Sequence, residues 1–485
     1  MSESKQIGTK MEYDGKDLID LGYEPGKHFA EMLKVANNMA EHEIPHARIL
    51  EALDEMYEDA NFVPETIPLR EVDAFGGYNA YLDPGETEYE EKNNKAVYET
   101  MDQLIRTPTL VDGAVLPDAC PAGPLGTIPV GGLAVAENAI HPGMHSADIC
   151  CSMFLTTFDL EGNPENAKKV LDAGQAGATH FGYGGRKDMG MGRHNDIMQR
   201  AQENRFLASV KMFKAMDEHL GTQGDGNHFF YVGYKESTGE LTLVTHHGSR
   251  SPGALLYKEG MKIAEQFRQK LSPDTLKQNA WIPFDTDEGQ WYWEALQIIR
   301  DWTRYNHMRI HDEIWEALGQ PRQTDRYWNE HNFVFKKGDH FYHAKGSTPM
   351  WDNYAPHDYL VDDRRIIPLN MAEPILIGLR RGDEAHGFAP HGAGRYMSRT
   401  AFNKLNAHKT PEQIMVEQTG DLDIRFYSGT PDMSELPGAY KNASAVQRQI
   451  KDFDLAKIVD RIQPLGCMMA GELPKPWLNK KGKRR

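Results

Sequence analysis

The string Ala389-Pro390-His391-Gly392-Ala393-Gly394-Arg395-Tyr396-Met397-Ser398-Arg399 sets one histidine at the head of a Gly-Ala-Gly turn, with an arginine on either side of a serine. An imidazole so placed can come close to a phosphorus atom. The small side chains leave the backbone N–H groups of Gly392, Ala393 and Gly394 free to cradle phosphate oxygens. The arginines can neutralise the charge of those oxygens. The chemistry this pattern suggests is nucleotidyl transfer through a covalent histidine.

Four upstream segments carry side chains of the metal-ligand type. They are Asp148-Ile149-Cys150-Cys151, Gly226-Asn227-His228-Phe229, His246-His247-Gly248-Ser249-Arg250 and Glu330-His331-Asn332-Phe333. Taken singly, each histidine is as readily a core or surface residue. Together they are four strand or loop ends, each bearing a ligand atom. Asp and Cys three residues apart can face one ion if the backbone turns, and thiolate suits borderline metals and can bridge two of them. One of Cys150 and Cys151 is expected to be an inert core residue. Strand alternation sends His246 and His247 to opposite faces, so one of that pair is expected to be a ligand. Five ligands in all suit one or two ions with positions left open for substrate and water. Asn227 is placed to hydrogen-bond a phosphate oxygen.

The elements that must position these groups follow from hydrophobic spacing. Phe29, Met32, Leu33, Val35 and Ala36, then Ile49, Leu50, Leu53 and Met56 beyond Pro45, predict two helices and an acidic loop over residues 28–60. From about residue 105 short β-branched runs alternate with Gly- and Pro-rich turns. Strands are expected at 107–111, 126–130, 153–157, 229–232, 241–245 and 333–335, and helices near 198–219, 254–270 and 289–318. This is an α/β (α+β) catalytic body, one large unit of mixed β-sheets flanked by helices. Residues 1–104 are expected to form a largely helical, acidic extension, 105–475 the catalytic domain and 476–485 a basic tail.

With 485 residues, 40% of them hydrophobic, the chain can bury a large core. No apolar run approaches the roughly 18 residues of a membrane span, so no membrane partner is expected. Four cysteines in so long a chain fit a reducing cytoplasm rather than a disulfide framework. The formal charge of −17 argues, as a whole-chain average, against a nucleic-acid partner. The local field can differ, however, because acid is concentrated early, as at Glu86–Glu91.

The motifs resemble the RtcB family of GTP-dependent RNA ligases over residues 105–471. Asp148 to Cys151 resembles its Asp-Ile-Gly-Cys-Gly motif, and Gly226-Asn227-His228-Phe229 its Gly-Asn-His-Phe motif. His246 through Arg250 is similar to its His-Ser-Gly-Ser-Arg element, and His331-Asn332 to its His-Asn pair. His391 through Arg395 matches its His-Gly-Ala-Gly-Arg motif residue for residue. Pro437-Gly438-Ala439-Tyr440-Lys441-Asn442 resembles a family segment near the end. The resemblance selects Cys151 and His246, and implies that Asp148, Cys151, His228, His246 and His331 hold two divalent ions, usually Mn²⁺. It further implies that His391 takes GMP from GTP, and that RNA 3′-phosphate or 2′,3′-cyclic phosphate ends are then joined to 5′-hydroxyl ends, in tRNA splicing or RNA repair. The implied nucleotide contacts are Asn227, Phe229, Phe230, Tyr231, Asn332, Pro368, Leu369, Asn370, Met371, Gly392, Ala393, Gly394 and Arg395. Archease, a small activating protein of family members, is the implied protein partner.

The chain departs from the family pattern at Ser152 (a glycine in the family), at Cys120 (a histidine), at Leu369-Asn370 (Gly-Ser) and at Met469-Ala470 (Lys-Gly, whose lysine helps hold the guanylate). Residues 1–104 are also longer and more acidic than the family's usual start. The nucleophile and metal motifs are thus complete while the guanine side is altered, which makes this a divergent member. Two competing expectations remain: a metal-dependent phosphoesterase acting on RNA ends, and a non-ligating paralogue that binds such ends.

Overall fold

The computed structural model describes residues 12–26, 28–61, 66–71, 77–186, 195–355 and 357–473. The tail expected at 476–485 and residues 1–11 of the expected extension lie outside them. The chain divides into two compact units, Met1–Thr66 and Ile67–Arg485.

In the smaller unit the two predicted helices are Phe29–Glu41 and His46–Asn61. Met32, Ala36 and Ala40 on the first and Ile49 and Leu53 on the second form one buried cluster with Tyr13, Leu18 and Tyr23. The helical stripe of apolar residues is thereby hidden from water. The Tyr23 hydroxyl donates to Asp54 Oδ1 at 2.6 Å.

The larger unit includes residues 67–104, which the composition had suggested grouping with the extension. The acidic run Glu86–Glu91 opens the helix Glu88–Leu104. Thr87 and Glu90 form a capping box, and three glutamates in the first turn suit the positive end of the helix dipole. Val97, Met101 and Leu104 of this helix join the main core.

Two sheets position the site. A five-stranded sheet runs in the order Asn79–Ala80, Leu110–Cys120, Val130–Glu137, His340–Lys345 and Asn332–Lys337. An eight-stranded sheet is ordered Gln323–Glu330, Ser152–Glu161, Glu240–His247, Phe229–Lys235, Lys457–Met469, Ile375–Leu379 and Arg365–Ile367, with Asp423–Phe426 beside the Lys457 strand. The fold is therefore the mixed α/β body expected. Helix Asp287–Ala317 buries Ile298, Ile299 and Trp302 in the main core and Ile310 and Ile314 against Phe158 and Val232 of the large sheet. The predicted helical stretch 198–219 is two helices, Asp196–Glu203 and Val210–Glu218. Asn195 and Ser209 cap them separately. Among the described residues no helix is long and apolar enough to cross a membrane.

Candidate metal and nucleotidyl-transfer site

Antiparallel register brings the ligand ends together. Phe229 pairs with His246, and Met153 pairs with His246 from the other side. Hence His228, just before one strand, and Cys151, just before another, flank His246 at one edge of the large sheet. His331 is the residue between Gln323–Glu330, the edge strand of the large sheet beside Ser152–Glu161, and Asn332–Lys337 of the smaller sheet. The site therefore sits where the two sheets meet.

The turn from Ser146 to Cys151 is tightly constrained. Ser146 and Cys150 adopt φ of +65° and +57°, a left-handed conformation that non-glycine residues take only when their surroundings hold them there. Cys150 N–H donates to Asn332 O at 2.7 Å, and His331 N–H donates to Cys151 O at 2.9 Å. A Cβ on Gly248 would collide with the Asp148 carboxylate. The left-handed twist at Cys150 buries its thiol in the main core and turns Cys151 toward the histidines. Ser152 occupies the family's glycine position without strain of its hydroxyl, which donates to Cys150 O at 3.0 Å and lies 3.1 Å from His307 Nε2.

Two ligand triads share one sulfur. Asp148, Cys151 and His228 form one, and Cys151, His246 and His331 the other. Within each triad the ligand atoms all lie within 4.8 Å of one another. Cys151 Sγ is 3.5 Å from His228 Nε2 and 3.1 Å from His246 Nε2. Asp148 Oδ2 is 3.2 Å from His228 Nε2, and His246 Nε2 is 3.1 Å from His331 Nε2. His228 Nδ1–H donates to Gln223 O at 2.7 Å and His246 Nδ1–H to Asn227 O at 3.1 Å, so both present Nε2 lone pairs to the centre. His247 faces away and stacks on His307 with ring centroids 3.4 Å apart.

Electrostatics favours a cation here. Burial, reinforced by neighbouring imidazoles, pushes His246 and His331 well below the ordinary histidine range, so they stay neutral. Burial first and the Asp148 charge second raise the Cys151 thiol, which a bound cation would deprotonate. Burial tends to raise Asp148, but the His228 ring, the Cys151 thiol and Arg250 outweigh it and hold the carboxyl well below the usual range. One carboxylate, one shared sulfur and three imidazoles fit divalent ions of borderline softness.

His391 stands beside this centre, its ring 4.7 Å from that of His331. Its Nδ1–H donates to Asp118 Oδ2 at 2.5 Å and to Gly346 O at 3.0 Å, which leaves the Nε2 lone pair unspent. Gly346 and Gly394, at φ +66° and +73°, admit the His391 ring and the Asp118 backbone respectively. A cavity of about 500 Å³ opens over these groups. It is lined by Asp148, Cys151, His246, His331 and His391 and by every expected nucleotide contact except Phe230. Strand alternation turns Phe230 to the opposite face, fully buried against Phe158 and Leu171, so it is not a wall residue.

Two groups at the site, Asp118 and Glu435, were not singled out by the sequence. Asp118 lies 273 residues from His391, and nothing local links them. Glu435 gathers the cations of the histidine motif: its Oε1 accepts from Arg399 Nη2 at 2.5 Å, its Oε2 is 3.5 Å from Arg395 Nη1, and Tyr440 O–H donates to it. Arg395 also donates to Ser434 O at 2.6 Å, so it meets protein acceptors as well as the cavity. Lys345 ends a strand facing the cavity, and burial pushes it down to about 8.

A sequence model of the family described as tRNA-splicing ligase RtcB matches residues 160–470 of this chain. The protein named tRNA-splicing ligase RtcB from Aeropyrum pernix is 28% identical over 337 residues, which covers 61% of this chain and 69% of the relative. Its namesake from Archaeoglobus fulgidus is 26% identical over 411 residues, 70% of this chain and 84% of the relative. That from Nanoarchaeum equitans is 25% identical over 345 residues, covering 63% and 70%.

Proposed function

Because this chain belongs to the RtcB family, we propose that it is an RNA ligase, joining 3′-phosphate or 2′,3′-cyclic phosphate ends to 5′-hydroxyl ends in tRNA splicing or RNA repair. The observation that carries the reading is the setting of His391: an imidazole oriented through Nδ1 by a buried carboxylate, its Nε2 free, beside two ligand triads that share a thiol.

The Nε2 lone pair attacks the α-phosphorus of GTP, a P–N bond forms, and pyrophosphate leaves with the P–O electron pair. Asp118 stabilises the positive charge that develops on the ring, as a carboxylate does for a catalytic imidazole. An oxygen of the RNA 3′-phosphate then attacks the same phosphorus, and the P–N pair returns to Nε2. The 5′-hydroxyl next attacks the activated 3′-phosphorus, its proton goes to solvent, and GMP departs. A cyclic end is first opened by water. Two divalent ions, Mn²⁺ by the resemblance, held by Asp148, Cys151 and His228 and by Cys151, His246 and His331, would offset phosphate charge and align the displacements. Asn227, Asn332 and the backbone N–H groups of Gly392, Ala393 and Gly394 supply donors to phosphate oxygens, and Arg395 and Lys345 supply cations. Archease is the implied activating partner.

The test uses two RNA strands, one ending in a 3′-phosphate and one beginning with a 5′-hydroxyl, with Mn²⁺ and GTP. Native protein should yield the joined strand, and His391→Ala should not. Opening of cyclic ends without any joined product would favour the phosphoesterase instead.

A further inference from the structure

Away from the metal ligands the cavity has an apolar wall. Phe229, Tyr231, Met371, Ile375, Cys467 and Met469 line it and belong to a single packed cluster. Cys467 pairs with Tyr231 and Met469 with Phe229 across adjacent strands, so their side chains share one face. The wall starts beside the metal centre, where the Phe229 ring lies 5.1 Å from that of His246. Two strand residues span about 7 Å, so Tyr231 continues the surface outward. A nucleotide whose α-phosphorus meets His391 can lay its base along this surface.

The side-chain oxygens near the wall already have partners. The Tyr231 hydroxyl donates to Ile462 O at 3.0 Å. Asn370 Oδ1 accepts from Ala372 N–H at 3.0 Å. Both oxygens of Glu435 are engaged by Arg399, Arg395 and Tyr440. The Watson–Crick edge of guanine carries two kinds of donor, N1–H and the 2-amino group, and no free side-chain carboxylate on this wall meets them. An apolar pocket discriminates weakly between flat ligands, by roughly 10–200-fold at most, whereas a pocket built to pair a polar edge rejects its absence by about 10⁴–10⁵.

Resting on the nucleotidyl-transfer reading above, we infer that this subsite holds a purine by stacking and dispersion and does not read its edge. The cavity then accepts adenine and guanine nucleotides alike, with Tyr231, Cys467 and Met469 as the residues that set this tolerance.

The test is equilibrium binding of ATP and of GTP to the full chain with Mn²⁺, paired with intact-mass measurement after incubation with each. The expected result is dissociation constants within about threefold of each other, with AMP and GMP adducts formed alike. Met469→Lys adds a donor suited to guanine O6 and should move the preference toward GTP by about tenfold; Met469→Gln is the milder version should the lysine not fold. GTP binding more than about tenfold tighter than ATP in the native chain would overturn the inference, and an exclusive GMP adduct would leave the histidine chemistry standing. Equal binding with no adduct from either nucleotide would support the apolar subsite and sink the His391 reading. Failure of both nucleotides to bind would overturn the inference.

Discussion

At the metal end of the cavity, His228, His246 and His391 are each fixed through Nδ1 by a carbonyl or carboxylate, and the turn carrying Asp148 and Cys151 is tied by backbone hydrogen bonds to His331 and Asn332. At the other end, the side chains of Phe229, Met371, Cys467 and Met469 meet one another through dispersion alone. Hydrogen bonds are directional, and moving one group by an ångström breaks a partner. Dispersion tolerates exchange of side chains of similar volume. That tolerance suits the departures from the family pattern at Leu369, Asn370 and Met469, whereas Ser152 departs within the metal turn itself, where its hydroxyl finds partners in Cys150 O and His307, and the ligand set and the histidine motif are complete. Directional constraints that act together hold the ligand end, and packing of side chains shapes the apolar end.

The largest effect is expected at the shared sulfur. Cys151→Ala should remove a ligand from both triads, so metal analysis should find the bound Mn²⁺ largely lost and adduct formation reduced by at least about 10³-fold. Retention of both ions in that variant would contradict the sharing. Asp118→Asn keeps the volume but not the charge that orients His391. It should slow single-turnover adduct formation by about 10²–10⁴-fold while leaving metal content intact. An unchanged rate would mean that Asp118 is only a core residue.

Changes at the apolar end should be gentler. Met469→Ala removes contact area and should weaken nucleotide binding by about tenfold without altering the metal content or the rate at saturation. Lys345 offers a pH readout from the same cavity. Burial lowers it to about 8, so its charge is present below that pH and lost as pH rises through it. Affinity for triphosphate should fall by a few-fold, as expected for one charge-assisted contact of about 1 kcal/mol, between pH 7 and 9. Lys345→Gln should flatten that profile. Stability should respond at the opposite end of the scale. His141 and His145, each lowered to about 4 by burial, stay neutral in the fold, so stability should decline as pH falls from about 6.5 toward 4. Urea titrations across that range would measure it.

Much of the fold was legible because burial imprints periodicity. The alternating runs near 153, 229 and 241 become the strands Ser152–Glu161, Phe229–Lys235 and Glu240–His247, and the long apolar stripe near 289 becomes Asp287–Ala317. Alternation also separated His246 from His247, which lie on opposite sides of their strand. The same rule, applied to Phe229-Phe230-Tyr231, would have removed Phe230 from the nucleotide wall. What local pattern could not carry is long-range pairing. The Asp118–His391 contact depends on how two sheets meet, and the gathering of Arg395, Arg399 and Tyr440 on Glu435 depends on two loops converging.

The most direct test is to digest the chain after incubation with Mn²⁺ and nucleoside triphosphate, under alkaline conditions that preserve a phosphoramidate, and to locate the nucleotide by peptide mass spectrometry. A single nucleoside monophosphate is expected on the peptide containing His391. A nucleotide attached to a lysine or to another histidine, with His391 unmodified, would contradict it.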